Sequence, residues 1–288
     1  MSRVFYVNGA FVPEEEATVS VLDRGFLFAD AVYEVSTVLD GRLIDNNAHL
    51  RRLHRSLDEL SMRAPLSDQE LTEAQQTLIS HNDLNEGVVY LQVSRGVADR
   101  DFAFPADDVE PTLVMFTQVK NLLQDPMAVR GLDVISVEDI RWQRRDIKTV
   151  GLLGPCLAKQ AAKKAGAHDA WMIEDGKVTE GTSNNAYIVL ADGTLKTRQL
   201  GQEILSGITR KAVLKLCQQT QVQVLEEAFT LEEVHNAKEA FITSASTFVL
   251  PVVTIDGQAV GDGKPGPVAR RLRELYIETA REQQHFDS

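Results

Sequence analysis

The sequence predicts an α+β fold of two domains, in which strands and helices are mixed along the whole chain. Short β-rich runs between turn dipeptides alternate with amphipathic helical stretches. The 288 residues are 43% hydrophobic and 25% charged, a composition typical of a globular protein with a sizeable core. The pattern changes near Pro126, which indicates a linker. We therefore expect a small N-terminal α/β domain over 1–119, a linker over 120–130 and a larger C-terminal domain over 131–288. The cleft between domains is the expected ligand site.

In the N-terminal half, the sequence predicts hairpins followed by helices. Asn8-Gly9 between two apolar runs predicts a two-residue hairpin, and Asp40-Gly41 predicts a second turn after a long strand. A helix capped by Asn46 or Asn47 is expected next. Four leucines then lie on one face of this helix: Leu50, Leu53, Leu57 and Leu60. A second helix from Ser67 or Asp68 to about Ser80 and strands over 88–94 and 111–117 complete this half.

In the C-terminal half, strands and helices alternate. A strand over 133–137 and a helix over 155–165 precede two hairpins, whose turns are Asp175-Gly176 and Asp192-Gly193. A helix is predicted to begin at Gly207. The remaining predicted elements are strands over 221–225, 240–243 and 249–255, a helix over 231–237, and a final helix that begins near Pro265.

The composition and charge of the chain argue against several classes of protein. The formal net charge of −12 repels nucleic acid and anionic membranes, so we expect neither as a partner. With only two cysteines, a disulfide framework or a cysteine zinc site is not expected, and the six histidines show no metal-ligand spacing. The N-terminus has no apolar signal-peptide core, and no window has the roughly 18 apolar residues of a membrane span. A cytoplasmic enzyme without a metal site fits these features, but composition alone fits many other proteins as well.

Four separated segments carry residues suited to catalysis or to binding a phosphate. Lys148 is followed by apolar residues, and an amine that loses hydration in such surroundings is a usable nucleophile, although local sequence alone favours an exposed lysine. Glu180 ends a predicted hairpin strand. Gly207-Ile208-Thr209 opens a helix, whose backbone N–H groups and threonine hydroxyl suit a phosphate. Thr243-Ser244-Ala245-Ser246-Thr247 is a hydroxyl-rich turn that either donates to a phosphate or caps a loop.

The spacing of these residues resembles the signature of the class IV aminotransferases, which depend on pyridoxal 5′-phosphate (PLP). The signature positions are Glu180, Thr182, Asn185, Ala186, Tyr187, Leu195, Thr197, Leu205, Gly207, Ile208 and Arg210. Residues 22–35 and 138–148 also resemble segments of D-amino-acid aminotransferases, and the likeness extends from about Phe5 to Leu272. The resemblance implies a fold type IV enzyme with its active site in the interdomain cleft of a homodimer.

The resemblance also implies roles for individual residues. Lys148 would hold PLP as a Schiff base and move a proton between the substrate and the cofactor. Glu180 would pair with the pyridine nitrogen, which makes the ring an electron acceptor. The cofactor phosphate would be bound by five residues: Arg52, Gly207, Ile208, Thr209 and Ser246. Tyr33 and Arg100 would lie on the substrate side, near the subunit boundary.

Arg100 marks a departure from the family pattern. In D-amino-acid aminotransferases a loop arginine and a histidine two residues later bind the substrate α-carboxylate. Arg100 matches the arginine, but Phe102 stands in place of the histidine, and Asp101 adds a negative charge. Ala29-Asp30-Ala31 also replaces the usual Gly-Asp-Gly. The lost hydrogen bond would cost about 1.5–3 kcal/mol of carboxylate affinity.

Transfer of an amino group from a D-amino acid such as D-alanine to a 2-oxo acid is therefore the leading interpretation. Three other activities of the same fold remain open: branched-chain L-amino acid transamination, (R)-amine transamination and aminodeoxychorismate lyase chemistry. A non-catalytic PLP-binding scaffold is a remote alternative, which the presence of both Lys148 and Glu180 disfavours.

Overall fold

The computed structural model describes residues 2–286, with side chains as far as residue 282. Residues 1, 287 and 288, which fall in the two expected domains, lie outside the described residues. The chain forms two compact units. The first contains the residues up to Asn121 together with Ile147–Gly151, and the second contains Leu122–Asp146 and the residues from Leu152 onward. The chain thus returns to the first unit at the segment that carries Lys148.

The first unit is built on an antiparallel sheet that has six strands among the described residues. The strands are β1 (Val4–Val7), β2 (Ala10–Pro13), β3 (Ala31–Leu39), β4 (Arg42–Ile44), β5 (Gly87–Ser94) and β6 (Thr112–Val119). Their order in the sheet is β2-β1-β6-β5-β3-β4. The predicted turns at Asn8-Gly9 and Asp40-Gly41 join β1 to β2 and β3 to β4, and the left-handed φ of Asn8 (47°) and Gly9 (93°) fits a hairpin turn.

Two long helices cover this sheet. They are α2 (Asn46–Glu59) and α3 (Asp68–His81), and they follow the short helices η1 (Glu14–Glu16) and α1 (Arg24–Phe28), which the periodicity does not predict. Leu50, Leu53 and Leu57 are buried in the core of the unit, as the leucine pattern indicates. Ser67 caps α3 with a reciprocal bond to Glu70.

The N-cap of α2 differs from the expectation. Asp45, with φ of 55°, occupies the N-cap position, and Asn46 is the first residue of the helix. The Asn46 amide instead accepts from the hydroxyl of Ser36 (2.9 Å) and donates to Gln75 Oε1 (2.9 Å), so it links β3 to α3. Asn46 therefore serves a tertiary contact that the local pattern cannot reveal.

The second unit contains a mixed sheet that has nine strands among the described residues. The strands are β7 (Leu132–Glu138), β8 (Asp169–Glu174), β9 (Lys177–Gly181), β10 (Asn185–Val189), β11 (Leu195–Thr197), β12 (Val224–Glu226), β13 (Glu239–Ser244), β14 (Phe248–Ile255) and β15 (Gln258–Ala259). The main path through the sheet is β12-β11-β10-β13-β14-β7-β8-β9, and β15 pairs with β14. The helices are α4 (Met127–Arg130), α5 (Leu153–Lys164), α6 (Ile208–Gln219), α7 (Leu231–His235) and α8 (Pro267–Phe286).

The elements of the second unit agree with the predicted alternation, with local differences. The strand expected over 221–225 is shorter, because residues 220–223 turn at the end of α6 and Gln221 has a left-handed φ of 58°. The expected linker includes α4. Both units combine a sheet with helices, which confirms the α+β class. Within the described residues, no helix combines the length and apolar character needed to cross a membrane.

Candidate functional site

Lys148 lies on a short segment that runs beside β3 in the first unit. Thr149 forms an antiparallel bridge with Val32, and the amide of Val150 donates to the carbonyl of Ala31 (3.1 Å). The amide of Tyr33 donates to the carbonyl of Lys148 (3.0 Å). The main chain of Lys148 is thus fixed by the sheet edge.

The side chain of Lys148 points at an aromatic face. Its Nζ lies 4.2 Å from the ring centroid of Tyr33, a distance at which an ammonium is attracted to the ring. The backbone amide of Lys148 also donates to the hydroxyl of Ser56 (3.3 Å). The half-buried amine therefore has a defined position beside Tyr33. A nucleophile that attacks a single carbon atom requires such a position.

Tyr33 belongs to a stack of aromatic rings across the sheet. Its ring lies 5.5 Å from that of Tyr90, which lies 4.7 Å from that of Phe116. The Tyr90 hydroxyl donates to Gln92 Oε1 (2.7 Å), and burial raises the pKa of Tyr90. This stack supports the Tyr33 ring from the side of β5 and β6.

Arg52 is oriented by a buried carboxylate. Its Nε and Nη2 each donate to a separate oxygen of Glu34 at 2.7 Å, and His49 Nδ1 lies 2.7 Å from Glu34 Oε2. Burial by itself raises the pKa of Glu34, but Arg52 and His49 outweigh it and hold this pKa at about 2. The fork fixes the guanidinium plane of Arg52, so a phosphate ligand at this position would be preorganised.

Arg100 is exposed on the long connection between β5 and β6. Its guanidinium carbon lies 5.3 Å from the ring centroid of Phe28 and 5.6 Å from that of Phe102, and these two rings are 5.6 Å apart. Asp101 Oδ1 accepts from the amide of Ala103 (3.1 Å), so this carboxylate is bonded within its own loop. Phe102 is 81% exposed.

Glu180 occupies a buried charged network in the second unit. Its Oε1 accepts from Arg141 Nη1 (2.5 Å), and its Oε2 accepts from the amide of Leu205 (3.2 Å). Burial raises the pKa of Glu180, against the opposing effect of Arg141. Arg141 also donates to both oxygens of Asp139 (2.9 and 2.7 Å), so one guanidinium orients two carboxylates. Arg141 favours the anionic form of this buried carboxylate. An anionic carboxylate is a suitable partner for a protonated ring nitrogen.

Asn185, at the start of β10, connects Glu180 to the beginning of α6. Its Nδ2 donates to Glu180 Oε2 (3.1 Å) and to the carbonyl of Leu205 (2.9 Å). A Cβ placed on Gly207 would lie 2.1 Å from Asn185 Oδ1, so only glycine allows this approach. Glu180 and the helix start predicted to bind phosphate are therefore joined through one amide.

The N-terminus of α6 has the properties of an anion site. Gly207 is its N-cap and provides no side-chain hydrogen bond to the helix. The Oγ1 atom of Thr209 is buried and has no hydrogen-bond partner among the described residues. Orphaned polar atoms in a protein interior are uncommon, and one at a helix start suits an anion with oxygen acceptors. Ile208, the first residue of the helix, is half-buried.

Ser246 lies in the turn between β13 and β14. The hydroxyl of Ser244 lies 3.3 Å from that of Ser246 and 2.8 Å from that of Thr247. Arg273 of α8 donates to the carbonyl of Thr247 (2.7 Å), next to Phe248, whose φ is 61°. The turn is thus held from the C-terminal helix and gathers several hydroxyl groups.

Each unit brings together part of the predicted set. Tyr33, Lys148 and Arg52 are grouped along β3 and α2, with Arg100 on the neighbouring connection, and Glu180 and Gly207–Thr209 are joined through Asn185. The residues missed as site members are Glu34, Arg141 and Asn185. All three lie within segments that resemble the family, but their contacts with Arg52 and Glu180 depend on the folded sheets.

The sequence profile of the amino-transferase class IV family matches residues 31–255. The chain belongs to this family. The predicted family and the predicted transaminase class are thereby confirmed, and PLP is the cofactor of these enzymes.

Named relatives agree with this assignment. The D-alanine aminotransferase of Staphylococcus aureus strain MSSA476 is 40% identical over 282 residues, which is 97% of this chain and 99% of that protein. The D-alanine aminotransferase of Bacillus licheniformis is 38% identical over 268 residues, 92% of this chain and 93% of that protein.

Solved structures of class IV enzymes confirm the fold. The T.th. branched-chain amino acid aminotransferase with pyridoxamine 5′-phosphate matches with a TM-score of 0.90 and 27% identity, and covers 97% of this chain and 94% of its own. A complex of that enzyme with N-(5′-phosphopyridoxyl)-L-glutamate matches with a TM-score of 0.89 and 26% identity, and covers 97% of this chain and 94% of its own. The branched-chain enzyme of Escherichia coli shares the fold at 24% identity, with a TM-score of 0.89 and coverage of 97% and 95%.

Proposed function

We propose that this class IV enzyme transfers the amino group of a D-amino acid, such as D-alanine, to a 2-oxo acid with bound PLP. The observation that carries the proposal is the full-length 40% identity to a D-alanine aminotransferase, since the branched-chain structures match at only 24–27% identity. Amino acids and 2-oxo acids are the substrates of transamination in general. The choice of the D-enantiomer rests on these relatives and on Arg100.

Each unit contains residues that fit PLP as a cofactor. We assign its phosphate to the α6 start, where Gly207 is the N-cap, Ile208 and Thr209 provide N–H groups, and Thr209 Oγ1 is buried without a partner among the described residues. Arg52, held by Glu34, and Ser246 would contribute further donors. Glu180 would pair with the pyridine nitrogen. When bound, PLP supplies an electron-accepting ring that stabilises the negative charge left when a substrate α-proton departs.

Lys148 performs the proton chemistry in this proposal. Its amine, once free, would accept the proton from the substrate Cα and would release it to C4′ of the cofactor. The main-chain bonds to Tyr33 and Ser56 fix the direction from which the amine approaches. Burial raises the pKa of Glu180, and the hydrogen bonds from Arg141, Asn185 and the amide of Leu205 favour its charged form against this effect. Two half-reactions, one with an amino acid and one with a 2-oxo acid, predict ping-pong kinetics.

The substrate side is assigned to Tyr33 and Arg100. Arg100 can bind a carboxylate with two parallel hydrogen bonds, while Phe102 cannot donate one. Phe102 and Phe28 instead provide an apolar surface around the guanidinium. We infer that a single arginine, rather than an arginine and a histidine, binds the α-carboxylate.

The experiment that tests this proposal measures one half-reaction at a time. The PLP form is mixed with D-alanine, L-leucine or (R)-1-phenylethylamine, and loss of the visible absorbance of bound PLP is followed. We expect D-alanine to react fastest. An Arg100→Ala variant is expected to raise KM for D-alanine by about tenfold or more, and an unchanged KM would remove Arg100 from this role.

A branched-chain L-amino acid aminotransferase is the second candidate. The high TM-scores to branched-chain enzymes favour it, with identities up to 27%. Faster reaction with L-leucine than with D-alanine in the same assay would select this candidate.

We further propose a homodimer that acts in the cytoplasm. Phe26, Phe102 and Phe104 are 71%, 81% and 59% exposed, and large apolar side chains in such numbers on one part of a surface are typical of interfaces. Both cysteines, Cys156 and Cys217, are free thiols, as is usual in a reducing compartment. Sedimentation equilibrium tests the dimer, and a monomer at micromolar concentration would contradict it.

A further inference from the structure

The connection between β5 and β6, residues 95–111, has an irregular path and carries Arg100. Connections longer than about 12–15 residues in compact domains are usually functional or disordered. This one is tied to the body of the first unit at several points. The contacts that tie it involve three charged residues, Arg24, Asp30 and Arg95.

Arg24 holds the main chain next to Arg100. Its Nη1 donates to the carbonyl of Asp101 (2.7 Å) and to the carbonyl of Ala103 (3.2 Å). These carbonyls flank Phe102, whose own side chain is exposed. Arg24 is only 3% exposed and both bonds are part-buried, so water competes less with these charge-assisted hydrogen bonds than it would at an open surface.

Asp30 joins the two arginines. Its Oδ2 accepts from Nε of Arg24 (2.7 Å) and from Nε of Arg95 (2.8 Å), and its Oδ1 accepts from Nη2 of Arg95 (3.0 Å). Arg95 also donates to the carbonyls of Leu60 (2.8 Å) and Ser61 (3.1 Å), just after α2. Two cations that share one carboxylate need such extra acceptors, and the carbonyls provide them.

The ring of Phe104 contacts the guanidinium groups of Arg95 and Arg24. The guanidinium carbon of Arg95 lies 3.6 Å from the centroid of the Phe104 ring, and that of Arg24 lies 5.8 Å from it. The exposed ring thus has one face on a cation. The connection is anchored at residues 101, 103 and 104, directly after Arg100.

We propose that Arg24 and Arg95 are positioning residues that present Arg100 to the α-carboxylate of the substrate. The inference rests on the proposed role of Arg100. A guanidinium on an anchored segment loses less conformational entropy when it binds a carboxylate. The anchoring contacts therefore lower KM, while Arg24 and Arg95 take no part in proton transfer. Arg24 and Arg95 themselves contact neither the substrate nor the cofactor in this proposal.

The test measures KM, kcat and amide hydrogen exchange in Arg24→Gln and in Phe104→Ala. Arg24→Gln is expected to raise KM for D-alanine and the inhibition constant of propionate by about tenfold, with kcat within about twofold of the wild type. Exchange of the amides of residues 97–104 is expected to rise at least about tenfold. Phe104→Ala, which leaves the buried charges paired, is expected to show the same pattern with a smaller effect.

Arg63→Gln is the matched control, because exposed Arg63 touches the other end of the same connection through the carbonyl of Val109 (3.4 Å). It is expected to leave all three quantities unchanged. If Arg100→Ala raises KM but Arg24→Gln and Phe104→Ala change neither KM nor exchange, the positioning role is wrong. If Arg100→Ala itself leaves KM unchanged, the proposed role of Arg100 fails, and this inference fails with it.

Discussion

Lys148 and Tyr33 are joined twice: the amide of Tyr33 donates to the carbonyl of Lys148 (3.0 Å), and the Lys148 Nζ lies 4.2 Å from the Tyr33 ring centroid. The first contact fixes the main chain of the lysine, and the second orients its amine. Tyr33 is itself stacked on Tyr90. The position of the reactive amine is therefore set by the sheet of the first unit.

Removing the Tyr33 ring is expected to slow the incorporation of PLP. A cation–π contact is worth about 0.5–1 kcal/mol at a partly exposed site, so Tyr33→Leu should slow the reaction about two- to fivefold. Tyr33→Phe keeps the ring and should keep the wild-type rate. The measurement is the growth of visible absorbance when PLP is added to the cofactor-free protein. Equal rates in the leucine and phenylalanine variants would show that the ring does not orient the amine.

Substitution of Thr209 is expected to weaken PLP binding without lowering the free energy of unfolding. Its hydroxyl is buried without a partner among the described residues, so Thr209→Val should not lower the free energy of unfolding of the cofactor-free protein. The Kd for PLP should rise about tenfold or more, because a charge-assisted hydrogen bond to phosphate is lost. Thr209→Ser is the control and should bind PLP nearly as the wild type does. Equilibrium dialysis and urea unfolding measure the two quantities, and an unchanged Kd in the valine variant would refute the phosphate assignment.

The low pKa of Glu34 predicts that the stability of the first unit decreases at acid pH. Its folded-state pKa of about 2 lies below the usual 4.5, so its ion pair stabilises the fold above about pH 4.5, and this contribution is lost as pH falls toward 2. The full contribution is about 3 kcal/mol. Glu34→Gln should therefore be less stable than the wild type at pH 7, and the difference should shrink between about pH 5 and pH 3. Urea unfolding across this range measures it, and a difference that is constant with pH would contradict the account.

Phe102→His would restore the donor that the family pattern places beside the loop arginine. We expect KM for D-alanine to fall about tenfold, more so near pH 6 than near pH 8, since imidazolium is the stronger donor. Phe102→Leu, which adds no donor, should not lower KM. An unchanged KM in the histidine variant at both pH values would mean that residue 102 does not face the carboxylate.

Features encoded by neighbouring residues could be predicted from the sequence. The Asn8-Gly9 and Asp40-Gly41 turns, the leucine face of α2 and the Ser67 cap of α3 all depend on residues a few positions apart. Lys148, Glu180 and the α6 start could be predicted as site residues because the segments that carry them resemble segments of the family.

The remaining features depend on contacts between distant positions. Arg141 and Glu180 are 39 residues apart, and Arg24 reaches carbonyls 77 and 79 residues away. Asn46 was expected as a cap but is engaged by Ser36 and Gln75, which lie on other elements. Periodicity describes one element at a time, so it cannot report which side chains meet once the sheets form.

Reductive trapping identifies the lysine that binds PLP, which we assign as Lys148. The protein is saturated with PLP, reduced with borohydride, digested, and the labelled peptide is identified by mass spectrometry. We expect a single label on Lys148 and no label in a Lys148→Ala variant of intact fold. A label on any other lysine of the wild type, or undiminished labelling of Lys148→Ala, would contradict this assignment.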